Sequence, residues 1–164
     1  MQEAISFTVA AVPVAQPRQQ HRIAQAKDGR QFVRNYTSER HPVQDFKASV
    51  RLAARLAYTG PPLEGPLFVS FRFVLPRPGY LRYKVKAMPR LWHTSTPDAD
   101  NLEKAVQDAL TGLLWVDDAQ IAAKATTKQI ASGHEAPHVE VTVSALGEPR
   151  DGEPAGLFDL LEDA

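Results

Sequence analysis

Apolar residues recur at two different periods along the 164-residue chain, and the switches between those periods predict its elements. Ile5, Phe7 and Val9 share one side of an extended segment over 5–12, which Pro13 interrupts. Pro42 suits a first helical turn, and Val43, Phe46, Val50, Ala53, Ala54 and Ala57 then follow a three/four spacing until Gly60-Pro61-Pro62 stops the helix. Leu67, Val69, Phe71, Phe73 and Leu75 point inward along the clearest strand, with Ser70 and Arg72 outward, closed by Pro76-Arg77-Pro78-Gly79. A second helix opens at Asp100, buries Leu102, Ala105, Val106, Ala109, Leu110 and Leu113, and frays at Gly112. Segments 121–130 and 138–144 read as two further strands, joined through Ser132-Gly133-His134 as a hairpin. The order β, α, β, α, β, β predicts a single α+β (mixed α/β) domain, with two main helices packed on a mixed sheet.

The remaining stretches are basic and irregular. Arg18, Arg22, Lys27, Arg30 and Arg34 surround Asp28-Gly29, a loop or hairpin turn. Between 80 and 93, Tyr80, Tyr83 and Trp92 alternate with Arg82, Lys84, Lys86 and Arg90, a mixture able to stack on bases and hold phosphates, or to cover the edge of the core. Lys47, Arg51 and Arg55 recur every four residues on the first helix, as a backbone grip or a solvated face.

The formal net charge of zero conceals a division. Residues 1–146 hold 18 Lys/Arg against 13 Asp/Glu, and residues 147–164 hold one Arg against six acids. The expected division is a basic domain over 1–146 and an acidic, disordered tail over 147–164, with Leu157, Phe158, Leu160 and Leu161 as the alternative of a weak protein-partner motif. The chain lacks cysteine, which excludes disulfides, zinc-thiolate sites and thiol nucleophiles. Its start lacks a secretory signal, and no apolar run approaches the ~18 residues of a membrane span, so a cytoplasmic, nucleoid-associated location is expected. No P-loop, dinucleotide fingerprint or nucleophile elbow is present, and His21, His41, His93, His134 and His138 lack metal-ligand spacing.

The chemistry concentrates in PDADNLEKAVQDALTGLLWVDDAQI, residues 97–121. Asp98 and Asp100 project to one side if extended, and the return after Gly112 delivers Asp117-Asp118, so strand, helix and return can converge three or four carboxylates. Such a cluster repels itself unless a hard cation such as Mg²⁺ neutralises it. The same residues also fit a purely structural pattern: Asp100 as N-cap with Glu103 completing a capping box, and Asp100, Lys104 and Asp108 as a charge ladder.

This string resembles the RusA family of Holliday-junction resolvases, with its pattern P-D-x-D-N-L-x-K-x-x-x-D-A-L followed by D-D-x-Q-[IV]. Pro97, Asp98, Asp100, Asn101, Leu102, Lys104, Asp108, Ala109, Leu110, Asp117, Asp118, Gln120 and Ile121 fill every slot. The resemblance extends more weakly over residues 5–144. It implies a RusA-like fold and a small homodimeric, Mg²⁺-dependent endonuclease that nicks four-way DNA junctions in recombination and repair, with Mn²⁺ as a substitute ion. Carried over by position, the catalytic and metal-binding aspartates are Asp98, Asp100 and Asp118, Asp117 is a further candidate ligand, and Lys104 is the essential lysine. The expected DNA contacts are Arg18, Arg22, Arg34, Arg82, Lys84, Lys86 and Arg90. Thr96 stands where many relatives carry a basic residue. A flap- or fork-directed nuclease and a non-cutting branched-DNA-binding protein remain open as alternatives, as does a host or phage origin.

Overall fold

The computed structural model describes residues 4–17, 20–25, 27–36 and 39–148. Among them, two helices and seven strands form in the order β1 (Ile5–Val9), β2 (Gln20–Gln25), β3 (Gln31–Tyr36), α1 (Val43–Ala57), β4 (Leu67–Leu75), β5 (Leu91–Trp92), α2 (Ala99–Leu110), β6 (Ile121–Ile130) and β7 (His138–Ala145). Five strands make one sheet in the order β1-β7-β4-β6-β5, while β2 and β3 form a separate antiparallel hairpin. The expected mixed α+β fold is therefore present.

Strand pairing departs from the expected hairpin between 121–130 and 138–144. Instead β4 lies between them, pairing in parallel with β6 and antiparallel with β7. The reason is burial: Phe71 and Phe73 need apolar neighbours on both sides, and Val141 and Val139 of β7 supply one side in register. The parallel partner needs a crossover, which α2 provides. β5 has only two residues, too few to show a period.

One sheet face carries both helices. Val9 of β1, Val69, Phe71 and Phe73 of β4, and Val139, Val141 and Val143 of β7 meet Val43, Phe46 and Val50 of α1 and Leu102, Val106 and Leu110 of α2. Trp115 fills the end of this core, fully buried, and its indole N–H donates to the Thr111 hydroxyl at 3.2 Å. Gly112 turns the chain there with φ of 78°, a left-handed conformation that glycine adopts without steric cost. Lys47, expected on a solvated helix face, is buried instead, its ammonium donating to Asp108 of α2 at 3.0 Å. This pair locks α1 to α2.

Candidate metal centre and nucleic-acid surface

The approach to α2 is fixed from the sheet. Lys128 of β6 donates to the carbonyls of Ser95 at 2.7 Å and Pro97 at 2.6 Å, immediately before Asp98. The Thr96–Pro97 peptide is cis. Lys128 shares the helix-facing side of β6 with Lys124, which pairs with the buried Glu103 of α2. The sequence held a signal for both. Two lysines four positions apart on a strand share a face, and a charge that points inward is one way an edge strand is kept from pairing.

Helix α2 begins one residue earlier than expected. Asp98 is the N-cap, in extended conformation, and its side chain makes no capping hydrogen bond. Asp100 lies inside the first turn rather than on an extended segment, and Glu103 is engaged by Lys124 instead of closing a capping box. The charge ladder is likewise broken up, since Asp108 faces Lys47. Asp98, Asp100 and Lys104 are exposed and, among the described residues, have no hydrogen-bond or ion-pair partner for their side chains. The helix dipole favours the two carboxylates at this position, but among the described residues no cationic side chain pairs with them.

The second acidic pair behaves differently within itself. Asp117 caps a one-turn 3-10 helix (Asp118–Gln120), accepting from the Ala119 N–H at 2.8 Å. Gln120 completes a reciprocal box by accepting from the N–H groups of Val116 at 2.8 Å and Asp117 at 3.0 Å. Its amide nitrogen donates to the carbonyls of Leu63 at 3.0 Å and Gly65 at 3.1 Å, tying the turn to the segment before β4. Asp118 is exposed, and its carboxylate has no such duty. The donor chemistry of Asp98, Asp100 and Asp118 fits Mg²⁺, since all are hard oxygen ligands left unpaired by the fold.

Within one chain, however, the acids do not converge. Among the described residues no group of three or more acidic or histidine side chains is close enough to hold an ion. Asp98 and Asp100 sit at the start of α2, beside the Lys128 end of β6. Asp117 and Asp118 sit before the first residue of β6, at the other end of the strand.

Of the basic segments, the loop after β4 lies at the Asp98 end, beside the Lys128 end of β6. The Gln16 N–H donates to the carbonyl of Asn101 in the first turn of α2, at 2.8 Å, so the chain leading into the β2–β3 hairpin departs from beside Asp100. Arg22 and Arg34 are register partners on that hairpin, whereas Arg18 lies outside the described residues. The loop after β4 is organised by Arg77, a buried guanidinium that donates to the carbonyls of Ala131 at 2.8 Å, Leu81 at 3.0 Å and Pro89. Around that clamp Arg82, Lys84 and Lys86 are exposed, Lys86 lying 5.5 Å from the centre of the Tyr83 ring. Periodicity gave no hint of Arg77, because its role depends on carbonyls brought together from distant segments.

Arg90 stands apart from these three. Its guanidinium forks onto Glu135, with two contacts of 3.0 Å from Nε, and donates to Gln129 at 3.0 Å. The hydrogen bond from Arg90, strengthened by the Ser132 N–H, lowers the Glu135 carboxyl to about 2 against the burial that opposes it. Glu140 is also partly desolvated, but the hydrogen bond from His138 and the charges of Arg72 and Arg90 outweigh that and hold it below its ordinary value. Arg90 thus serves the open face of the sheet first, unlike its exposed neighbours.

Among the described residues no helix is long and apolar enough to cross a membrane. The chain is 31% identical over 146 residues to the uncharacterized protein YqaN of Bacillus subtilis (strain 168), covering 86% of this chain and 96% of that one. The model of the endodeoxyribonuclease RusA family matches residues 11–144, a span that takes in the Gln16 anchor, the Arg77 clamp and both acidic ends of α2. With that match over most of its length, the chain belongs to the RusA family of endodeoxyribonucleases.

Proposed function

We propose that this protein is a Mg²⁺-dependent endonuclease that resolves four-way DNA junctions during recombination and repair, acting as a homodimer. The observation that carries this reading is the contrast among its charges. The fold pairs Lys47, Lys124 and Arg90 with acids, yet among the described residues it leaves Asp98, Asp100, Asp118 and Lys104 unpaired and exposed. Groups kept free in this way are available to a cation and a phosphate. Asp98, Asp100 and Asp118 would hold the ion. When bound, it lowers the pKa of a water and offsets charge on the attacked phosphate and the leaving oxygen.

The chain's own groups supply the rest. Lys104, one turn along α2 from Asp100, offers its ammonium to a non-bridging phosphate oxygen, where charge gathers most in the transition state. The Arg77-clamped loop at the same end, with the basic hairpin that follows Gln16, would hold the DNA backbone. A four-way junction presents two equivalent strands, and a two-fold dimer presents two equivalent sites to them.

Cleavage of labelled four-way, three-way, flap and linear DNA tests the reading. Single Asp98→Asn, Asp100→Asn and Asp118→Asn variants are expected to lose cutting while binding junctions in Ca²⁺, and Asp117→Asn to stay close to wild type because asparagine can still accept from the Ala119 N–H. Lys104→Ala is expected to lower turnover more than affinity. Preferential cutting of flaps over four-way junctions would redirect the function to fork processing, and full activity in EDTA would remove the metal from it.

A further inference from the structure

We propose that the carboxyl-terminal segment Leu157–Leu161 docks on its own domain, in the apolar groove between β1 and α1. The groove has a volume of about 520 Å³, within the range of roughly 300–1,000 Å³ for pockets that hold a ligand. Its walls include residues 7–10 of β1 and Leu52, Ala53, Leu56 and Ala57 of α1, and no charged side chain lines it. Ala53 and Ala57, expected on the buried face of the helix, open onto this space instead. β1 is the outermost strand of the five-stranded sheet, at the edge opposite β5, and among the described residues it pairs with β7 alone.

The rim of the groove specifies the chemistry of its occupant. Leu52 and Leu56, one helical turn apart, are 61% and 79% exposed. Arg51 and Arg55 repeat at the same spacing beside them, exposed, and among the described residues neither has a partner for its guanidinium. A matching segment is therefore both apolar and acidic. Leu157, Phe158, Leu160 and Leu161 supply the apolar part, with Asp159, Glu162 and Asp163 among and after them. Residues 147–164 carry six acids against one Arg, the opposite sign to the rim. So short a stretch has no core of its own and can bury its apolar side chains only against another surface.

Reach favours the tail of the same chain. Val143 of β7 lies opposite Ile5 of β1, so β7 leaves the sheet at the end where β1 enters it. The Leu146 N–H donates to the Pro66 carbonyl at 2.8 Å and fixes the root of the tail there. From the level of Ala145 to that of Phe7 is about 13 Å along the strands, and from β7 past β1 about 10 Å across them. The nine residue steps from Glu148 to Leu157 extend ~30 Å, enough to enter the groove. A tethered segment also meets its site at a roughly millimolar effective concentration, which a free partner would have to exceed. Docked there, the acidic tail lies at the edge of the sheet away from β5 and leaves the Asp98 end of β6 open.

The chain has no cysteine, so one introduced thiol can report where the tail lies. A nitroxide attached to the full chain at Ala155→Cys, just before the apolar segment, broadens nearby amide signals in the NMR spectrum of ¹⁵N-labelled protein. The amides of Thr8, Ala10, Leu52 and Leu56 are expected to lose most of their intensity, while those of Glu64 and Gly65, close to the root of the tail, keep most of theirs. Leu52→Asp with Leu56→Asp should abolish that contrast, and both positions are exposed enough to spare the fold. Leu157→Ser, Phe158→Ser, Leu160→Ser and Leu161→Ser together should abolish it as well, without altering any described residue. Broadening that declines evenly with distance from Leu146, or that neither set of substitutions changes, would overturn the inference. Mixing spin-labelled ¹⁴N protein with ¹⁵N protein that carries no nitroxide tests the remaining occupant. Full broadening of the groove amides in that mixture would assign the groove to the tail of a second copy and overturn docking within one chain; undiminished signals there, with broadening in the singly labelled sample, are the expected result.

Discussion

Gln120→Ala is expected to damage this protein more than any other exposed-turn substitution, because one side chain satisfies four backbone groups. Its carbonyl oxygen accepts from two N–H groups and its amide donates to two carbonyls, across the gap between the Asp117 turn and the segment before β4. Each neutral hydrogen bond contributes about 0.5–1.5 kcal/mol net, and the loss is worst where water cannot replace it. Val116, Asp117 and Gly65 are exposed and would be rehydrated, whereas Leu63 is buried and its carbonyl would be stranded. Counting that carbonyl at about 1–2 kcal/mol and the three others at a few tenths each gives about 2–3 kcal/mol. For a domain of this size that lowers Tm by about 6–10 °C, read by calorimetry. Gln120→Glu separates the halves of the effect, since a carboxylate can still accept from Val116 and Asp117 but can only repel the two carbonyls. Cleavage at a temperature where the variant is folded should fall as well, because Asp118 is held by this turn. A Tm unchanged from wild type for both variants would refute the tie, and with it the assignment of Gln120 as the anchor of Asp118.

Acid should act through Glu135. Its folded carboxyl lies near 2 and an unfolded glutamate near 4.5, so the stabilisation is complete above the unfolded value and disappears as pH falls through about 2. Solvent reaches both partners, which discounts the contribution to about 1–2 kcal/mol. Urea titrations from acidic pH down through that range should show the loss in the wild type and a flatter limb in Glu135→Gln, and superimposable profiles would mean that the ion pair does not stabilise the fold. Replacing Arg82, Lys84 and Lys86 together by alanine should reduce the log–log salt slope of junction binding by ~0.9 for each phosphate contact removed, measured by anisotropy; an unchanged slope would place DNA elsewhere. Deleting residues 149–164 should leave folding and cutting intact while retaining Leu146, whose N–H donates to the Pro66 carbonyl. Loss of the dimer on truncation would instead assign the Leu157–Leu161 segment, which lies outside the described residues, to an interface.

Period alone located α1, α2, β4, β6 and β7 within a residue or two, because each has one apolar face whose spacing is dictated by backbone geometry. It failed where a residue's partner is remote in sequence. Nothing near Lys47 announces that Asp108 will bury it, and nothing near 121–138 shows that β4 will occupy the space between two strands that look like a hairpin. The acidic motif named candidate ligands, but the convergence it allowed within one chain does not occur among the described residues. A capping box at Asp100 was locally sound, yet Glu103 found a stronger partner in Lys124 on a strand formed later in the chain. Distinguishing Asp117 from Asp118 needed the turn itself, since only the fold shows which of two adjacent carboxylates is already occupied.

Strand β1 is the first element of the sheet and β7 the last, yet they pair along their whole shared length, from Ile5 with Val143 to Val9 with Val139. During synthesis, then, β1 has no strand partner until the ribosome has passed Ala145, and β4 waits for both of its neighbours as well. High contact order of this kind slows folding and leaves apolar strands open in the nascent chain. A messenger truncated before β7 should therefore yield a product that chaperones hold or proteases remove, not a smaller working domain.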